Sequence, residues 1–208
     1  MSARQRYRAI LFDLLTGLLD SWSAWNRVAG SEAAGRRWRA AYLELTYGCG
    51  AYRPYETLLA EAARSSGLPE TLAATLEREW QRITPWEEAP ALLGRLANTH
   101  RLGIVTNCSE RLGRAAAAKL GIDFDVIVTS ERAGFYKPHP APYRLALSEL
   151  NLDSKEVLFV AGSGFDLIGT AGVGLDAYWH NRVGLQPPPG APAPLHESRS
   201  LADLPSLA

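Results

Sequence analysis

From residue 102 onward the chain alternates short apolar runs with helix-length segments, and this rhythm constrains the fold more than any other feature. Leu102 to Thr106 reads as a strand, Glu110 to Leu120 as an Ala-rich helix ended by Gly121, and Val126 to Thr129 as the next strand. A helix over Ala141–Leu150, a strand over Val157–Ala161, a helix over Asp166–Ala171 and a last strand over Ala177–Trp179 follow. Strands separated by helices of about ten residues indicate a parallel sheet with crossover helices. Such sheets bind ligands at the carboxyl ends of their strands.

One more strand opens the chain. Tyr7 to Leu14 contains four consecutive apolar residues, Ala9, Ile10, Leu11 and Phe12, as a strand buried on both faces would. Between it and residue 102 the rhythm is broken. The spacing predicts helices over Glu32–Tyr47, Tyr55–Ser65 and Pro69–Trp80, punctuated by Pro54, Gly67 and Pro69. Thr84-Pro85-Trp86 ends that stretch, and a helix from Glu87 to Asn98 returns to the sheet. The expected fold class is therefore α/β, a Rossmann-like parallel sheet core with a helical cap inserted after the first strand. The expected division is residues 1–16 and 85–208 for the core and 17–84 for the cap. Gln186 to Pro194 is Pro-rich and is expected to be extended or loose.

Composition narrows the partners. Of 208 residues, 47% are apolar, enough for a sizeable core without metal or disulfide staples. The formal net charge is zero, so no global field draws in nucleic acid or an anionic membrane. No segment is long and apolar enough to span a bilayer. Met1 to Arg8 is polar and basic, and the apolar run behind it is too short, and broken by Asp13, for a signal-peptide core. Cys49 and Cys108 are too few for a disulfide framework and suit free thiols in a reducing, cytoplasmic setting.

Four polar clusters fall at strand ends: Asp13; Thr106 with Asn107; Lys137; and Asp166. In a doubly wound sheet these ends converge on one cleft. A carboxylate closing an apolar strand is costly unless paired or hydrogen-bonded, so Asp13 is either a site group or an N-cap or loop aspartate. A buried lysine beside it would keep it ionised, although Lys137 is equally read as a surface lysine. Thr106 and Asn107 offer a hydroxyl, an amide and backbone N–H groups to an anion near a helix start. The plainer reading is helix capping by Asn107 or Ser109.

In order, the motifs are Phe12-Asp13-Leu14-Leu15-Thr16-Gly17, Val105-Thr106-Asn107, Tyr136-Lys137-Pro138-His139-Pro140 with Tyr143 following, and Phe159-Val160-Ala161-Gly162-Ser163-Gly164-Phe165-Asp166. From Tyr7 to about Arg182 this order resembles the haloacid dehalogenase superfamily. Phosphatases of that superfamily carry a second aspartate two residues after the nucleophile and an acidic pair in the fourth motif that holds magnesium. Here Leu15 and Ala161 stand at two of those places, and Asp13 with Asp166 alone makes a poor site for a hard dication. No metal or other cofactor is expected. The type II L-2-haloacid dehalogenases lack the same acids. Trp38-Arg39-Ala40-Ala41-Tyr42-Leu43-Glu44 matches their cap arginine, while Arg36 and Arg37 beside it allow the plainer reading of a solvated helix cation. Tyr143 and the ending Tyr178-Trp179-His180-Asn181-Arg182 also resemble that branch.

The resemblance implies hydrolysis through an aspartyl ester. Asp13 would displace a leaving group from C2 of a small carboxylic acid, and Arg39 would stabilise the departing halide. Thr106 and Asn107 would bind the substrate carboxylate. Lys137 would pair with Asp13, and Asp166 would hold Lys137. Leu15, Tyr143, Ser163 and Phe165 complete the expected substrate site. The implied partner is a small-molecule carboxylate, with a homodimer left open. Three departures are evident, the first being Leu15 where the family has an aromatic substrate wall after the nucleophile. The family has Gly-Thr where this chain has Thr16-Gly17, which predicts that the hydroxyl steadying the nucleophile is displaced or lost. The family's Ser-Ser-Asn becomes Ala161-Gly162-Ser163, which predicts a weaker hold on the hydrolytic water. A phosphatase, a hydrolase that opens a strained carbon–nitrogen ring, and a non-catalytic binding protein stay open as alternatives.

Overall fold

The computed structural model describes residues 6–208. Residues 1–5, the start of the basic segment and of the expected core, lie outside the described residues. Strand β1 (Ala9–Phe12) leads into four helices, α1 (Ser21–Val28), α2 (Glu32–Gly48), α3 (Tyr55–Ser65) and α4 (Leu72–Glu79). Then follow α5 (Ala89–Leu96), β2 (Arg101–Thr106), α6 (Glu110–Ala117), β3 (Val126–Thr129), α7 (Ser130–Ala133) and α8 (Pro140–Leu150). The chain ends through β4 (Val157–Ala161), α9 (Gly164–Ala171), β5 (Asp176–His180) and β6 (His196–Ser198).

The sheet has the order β3-β2-β1-β4-β5-β6, and every pairing is parallel. Both faces are covered, as a parallel sheet requires. Ile10, Phe12, Ile104 and Val160 face one apolar layer, continuous with the helical insert; Leu11, Val105, Val128 and Phe159 face the other. β1 lies between β2 and β4, so the chain leaves it in both directions. The crevice at such a reversal opens beside the carboxyl end of the central strand, where Asp13 stands.

The insert leaves and returns through a short antiparallel contact. Leu19 bridges Pro85, Asp20 N donates to the Thr84 carbonyl, and Trp86 N donates to the Leu18 carbonyl. Asp20 caps α1, and the Ser31 hydroxyl caps α2 by accepting from Ala34 N. Trp25 packs on Trp38 at 4.7 Å and on Tyr42 at 5.6 Å. Tyr42 then bridges insert and sheet by donating to the Asn107 carbonyl at 3.2 Å.

The sequence spacing does not reveal α1, α7 or β6. α1 and α7 are short, eight and four residues, and Ser, Trp and Asn in α1 are indifferent helix formers. The three residues of β6 gain their conformation from pairing with β5, not from local preference. The Pro-rich stretch 186–194 contains no helix or strand. No described helix is long and apolar enough to cross a membrane, and both cysteines are free.

Candidate active site

Asp13 ends β1 in a tight loop that turns its next residues back over its carboxylate. Oδ2 accepts three hydrogen bonds: from Thr16 N at 3.0 Å, from the Thr16 hydroxyl at 2.7 Å and from Gly17 N at 3.0 Å. Oδ1 faces Lys137 Nζ at 2.8 Å. The expectation that reversing Gly-Thr displaces or loses the steadying hydroxyl is therefore wrong. Thr16, one residue earlier than expected, still reaches the carboxylate. Space for it comes from Gly162, where a Cβ would collide with Thr16 Oγ1, Gly17 N and Asp13 Oδ2.

Lys137 is held between two buried carboxylates, with Nζ 2.8 Å from Asp13 Oδ1 and 2.8 Å from Asp166 Oδ1. Asp166 lies in the first turn of α9, where Oδ2 accepts from Gly162 N and Ser163 N, each at 3.3 Å. Tyr143, from α8, donates its hydroxyl to Asp166 Oδ1 at 3.2 Å. Burial alone would raise the Asp13 pKa, but the Lys137 charge and the hydrogen bonds from Lys137 and Thr16 hold it below the ordinary value. Asp166 is pushed above its ordinary value by burial, which outweighs the same lysine. Burial would lower Lys137, but the two carboxylates keep it above the usual lysine value. The cluster thus carries an ionised Asp13 beside a firmly charged lysine.

Arg39 separates from its neighbours in α2. Arg36 pairs with Glu32 on the surface and Arg37 is exposed, while Arg39 is 7% exposed. Its Nη1 donates to the Ser21 hydroxyl at 2.9 Å, and its guanidinium lies over Trp22 at 4.2 Å and Trp25 at 5.2 Å. Among the described residues no carboxylate forms an ion pair with it. Burial lowers its pKa and outweighs the opposing pull of nearby groups that include Asp13 and Asp20, neither of which forms an ion pair with it. The surface-cation reading therefore fails.

Thr106 and Asn107 diverge. The Thr106 hydroxyl is buried without a hydrogen-bond partner among the described residues and lines the same cavity as Arg39. A buried unpaired hydroxyl is costly unless something else fills its need. The Asn107 side chain, by contrast, is engaged. Its Nδ2 donates to the Lys137 carbonyl at 3.0 Å, while Oδ1 accepts from Lys137 N at 2.7 Å and the Ser130 hydroxyl at 2.8 Å. Its amide braces the lysine loop through Oδ1 and one of its two N–H donors, while the residue also lines the cavity. Neither Asn107 nor Ser109 caps α6 through its side chain.

The cavity measures about 50 Å³, room for only a few water-sized groups. Asp13, Lys137, Asp166 and Thr106 form its floor; Arg39, Trp22 and Tyr42 form its roof; Leu15, Ser163 and Phe165 lie at its side. The named candidates line it, apart from Tyr143, which stands behind Asp166. The Ser163 hydroxyl accepts from Phe165 N at 3.3 Å as the cap of α9, and Ala161 offers no polar side chain. Trp22, Ser21 and Tyr42 belong to the site but were not among the candidates. Trp22 is the second residue of the short helix that the spacing hides, and nothing in its local sequence marks it as lining a site.

A (S)-2-haloacid dehalogenase of Xanthobacter autotrophicus is 32% identical over 107 residues, 50% of this chain and 42% of that protein, so the chain spans under half of that relative in the match. The (S)-2-haloacid dehalogenase H-109 of Pseudomonas putida is 27% identical over 96% of this chain and 97% of its own. A solved structure described as a dehalogenase superposes with a TM-score of 0.85 at 27% identity, covering 99% of both chains. The profile of the family described as haloacid dehalogenase-like hydrolase matches residues 10–179. The chain belongs to the haloacid dehalogenase-like hydrolases.

Proposed function

We propose that the protein hydrolyses a small 2-halogenated carboxylic acid through an ester on Asp13, without a metal ion. The observation that carries this reading is the pairing of an ionised, lysine-held carboxylate with an unpaired buried guanidinium across one small cavity. Residues 17–84 act as the cap and residues 1–16 with 85–208 as the core, so that closure excludes bulk water.

Asp13 Oδ1 accepts from Lys137 alone and keeps lone-pair density for attack, while Oδ2 is saturated by its three donors. Oδ1 attacks C2, the carbon–halogen bond breaks, and the halide leaves unprotonated toward Arg39. The Thr106 hydroxyl accommodates the substrate carboxylate. Oδ2 is then the ester carbonyl oxygen, already inside an oxyanion cradle. Water attacks Cγ and gives one proton to the Asp166 carboxylate, the Cγ–Oδ1 bond breaks, and the Lys137 ammonium protonates the departing Oδ1, so that the 2-hydroxy acid leaves with inverted configuration; Asp166 then returns its proton to Lys137, and the Asp13 carboxyl ionises to solvent.

A hard dication is not suited to these residues. It needs several oxygen ligands, whereas the described residues contain no group of three or more His, Cys, Asp or Glu able to hold a metal. The position between Asp13 and Asp166 is taken by the Lys137 ammonium. Release of chloride from 2-chloropropionate by the purified protein in excess chelator tests the reading. Chloride release lost in Asp13→Asn is expected; turnover confined to phosphate esters with added magnesium would overturn it.

A further inference from the structure

The loop that carries Asp13 is held from behind by two aromatic residues that do not line the cavity. The Trp86 indole N–H donates to the Thr16 carbonyl at 3.0 Å. That carbonyl belongs to the same peptide group as Gly17 N–H, which donates to Asp13 Oδ2 at 3.0 Å. One rigid, polarisable amide therefore joins the indole to the nucleophile's carboxylate. Hydrogen bonds in such a chain strengthen one another by about 10–30% per bond. Beside it, His180 Nδ1 lies 2.8 Å from the Gly17 carbonyl. A carbonyl only accepts, so Nδ1 carries a proton.

Trp86 is itself fixed on three sides. Its backbone N–H donates to the Leu18 carbonyl, its ring meets His180 edge-on at 6.4 Å, and the Arg182 guanidinium lies over it at 4.8 Å. Arg182 is held in turn by Glu88 at 2.7 Å. This is also the point where the helical insert returns to the sheet, beside the bridge between Leu19 and Pro85.

We infer that Trp86 is a positioning residue for hydrolysis of the ester: through the Thr16–Gly17 peptide it orients and strengthens a donor of the oxyanion cradle. The inference rests on the Asp13 ester reading. It separates the two steps. When Asp13 is a free carboxylate, the donors to Oδ2 stabilise its ground state and give no help to attack by Oδ1. When water attacks Cγ, negative charge grows on Oδ2, and the same donors stabilise the transition state. Loss of the indole donor therefore slows the second step selectively, whereas loosened packing would slow both.

The test is rapid-quench kinetics with 2-chloropropionate on the full-length protein and on Trp86→Phe, together with mass spectrometry of the Asp13 peptide. Replacement of Trp86 by 3-benzothienylalanine, which keeps the ring shape and lacks the N–H, serves if the phenylalanine variant unfolds. Expected are a chloride burst with a rate within about twofold of the parent, steady-state turnover about three- to tenfold lower, and a larger fraction of Asp13 in ester form. Equal slowing of both steps, or no change in either, would overturn the inference while leaving the ester reading intact. No adduct on Asp13 in the parent protein would remove the ester reading and this inference with it.

Discussion

The Thr16 hydroxyl fills the space above Gly162 that a side chain would otherwise take. Thr16-Gly17 and Gly162 are thereby one geometric accommodation: the Thr16 hydroxyl reaches Asp13 because the facing residue carries no side chain. Gly162→Ala should accordingly displace Thr16 and Asp13 Oδ2 and reduce chloride release by about two orders of magnitude. Adding Thr16→Gly should recover part of that loss. A double-mutant cycle checks this, with a coupling of about 0.5–3 kcal/mol expected between these neighbours and additive losses arguing against it.

Lys137→Met should destabilise the protein in a pH-dependent way. In the parent, Asp13 lies below its unfolded pKa, so its contribution is present above that unfolded value, about 3.9, and is lost as pH falls through the folded one. Lys137 lies above its unfolded value, so its contribution is present below about 10.4 and is lost as pH rises through the folded pKa. Without the ammonium, two buried carboxylates face each other unpaired, a loss of about 3–5 kcal/mol at neutral pH. Both would then titrate high, and protonation would relieve the penalty. Urea denaturation should show the deficit shrinking between pH 8 and pH 5; a constant deficit would argue against the buried triad.

Arg39→Met should separate stability from activity. The guanidinium is desolvated and pairs with no carboxylate among the described residues, so replacing it with an apolar side chain of similar length should leave the melting temperature equal or higher. Chloride release should fall by about a hundredfold or more, since the departing halide loses its cation. A variant that melts much earlier while keeping full activity would assign Arg39 to structure.

The parallel sheet and the convergence of Asp13, Lys137 and Asp166 were legible in the sequence because each follows a strongly apolar strand or a Gly/Pro turn. The roles of Asn107 and Thr16 were not. Motif position puts Asn107 at the cleft, but only the fold brings the backbone of Lys137 within reach of its amide. Thr16 was misjudged because a shift of one position along a loop says nothing about the space across it, which Gly162 decides. Arg39 was ambiguous among three arginines in one helix. Its burial depends on Trp22 and Trp25 of α1, a helix too short and too weakly patterned to be read from spacing.

The second step should be slow. Ala161 cannot hold water, and the Ser163 hydroxyl accepts the Phe165 N–H as a helix cap. Positioning and proton-transfer contributions are typically ~10²–10⁴-fold, so their partial loss moves the rate limit to ester hydrolysis. Stopped-flow measurement of chloride should give a burst near one equivalent per active site followed by slower turnover; a linear trace from the first turnover would contradict this.

The most direct measurement is a single turnover of 2-chloropropionate in water enriched in heavy oxygen, with enzyme in excess, followed by mass spectrometry of the peptide containing Asp13. If Asp13 is the nucleophile and water attacks its ester carbonyl, the label appears on Asp13 and the first lactate released is unlabelled. Label in that first lactate, with none on Asp13, would mean that water attacks C2 directly and that Asp13 serves only as a base.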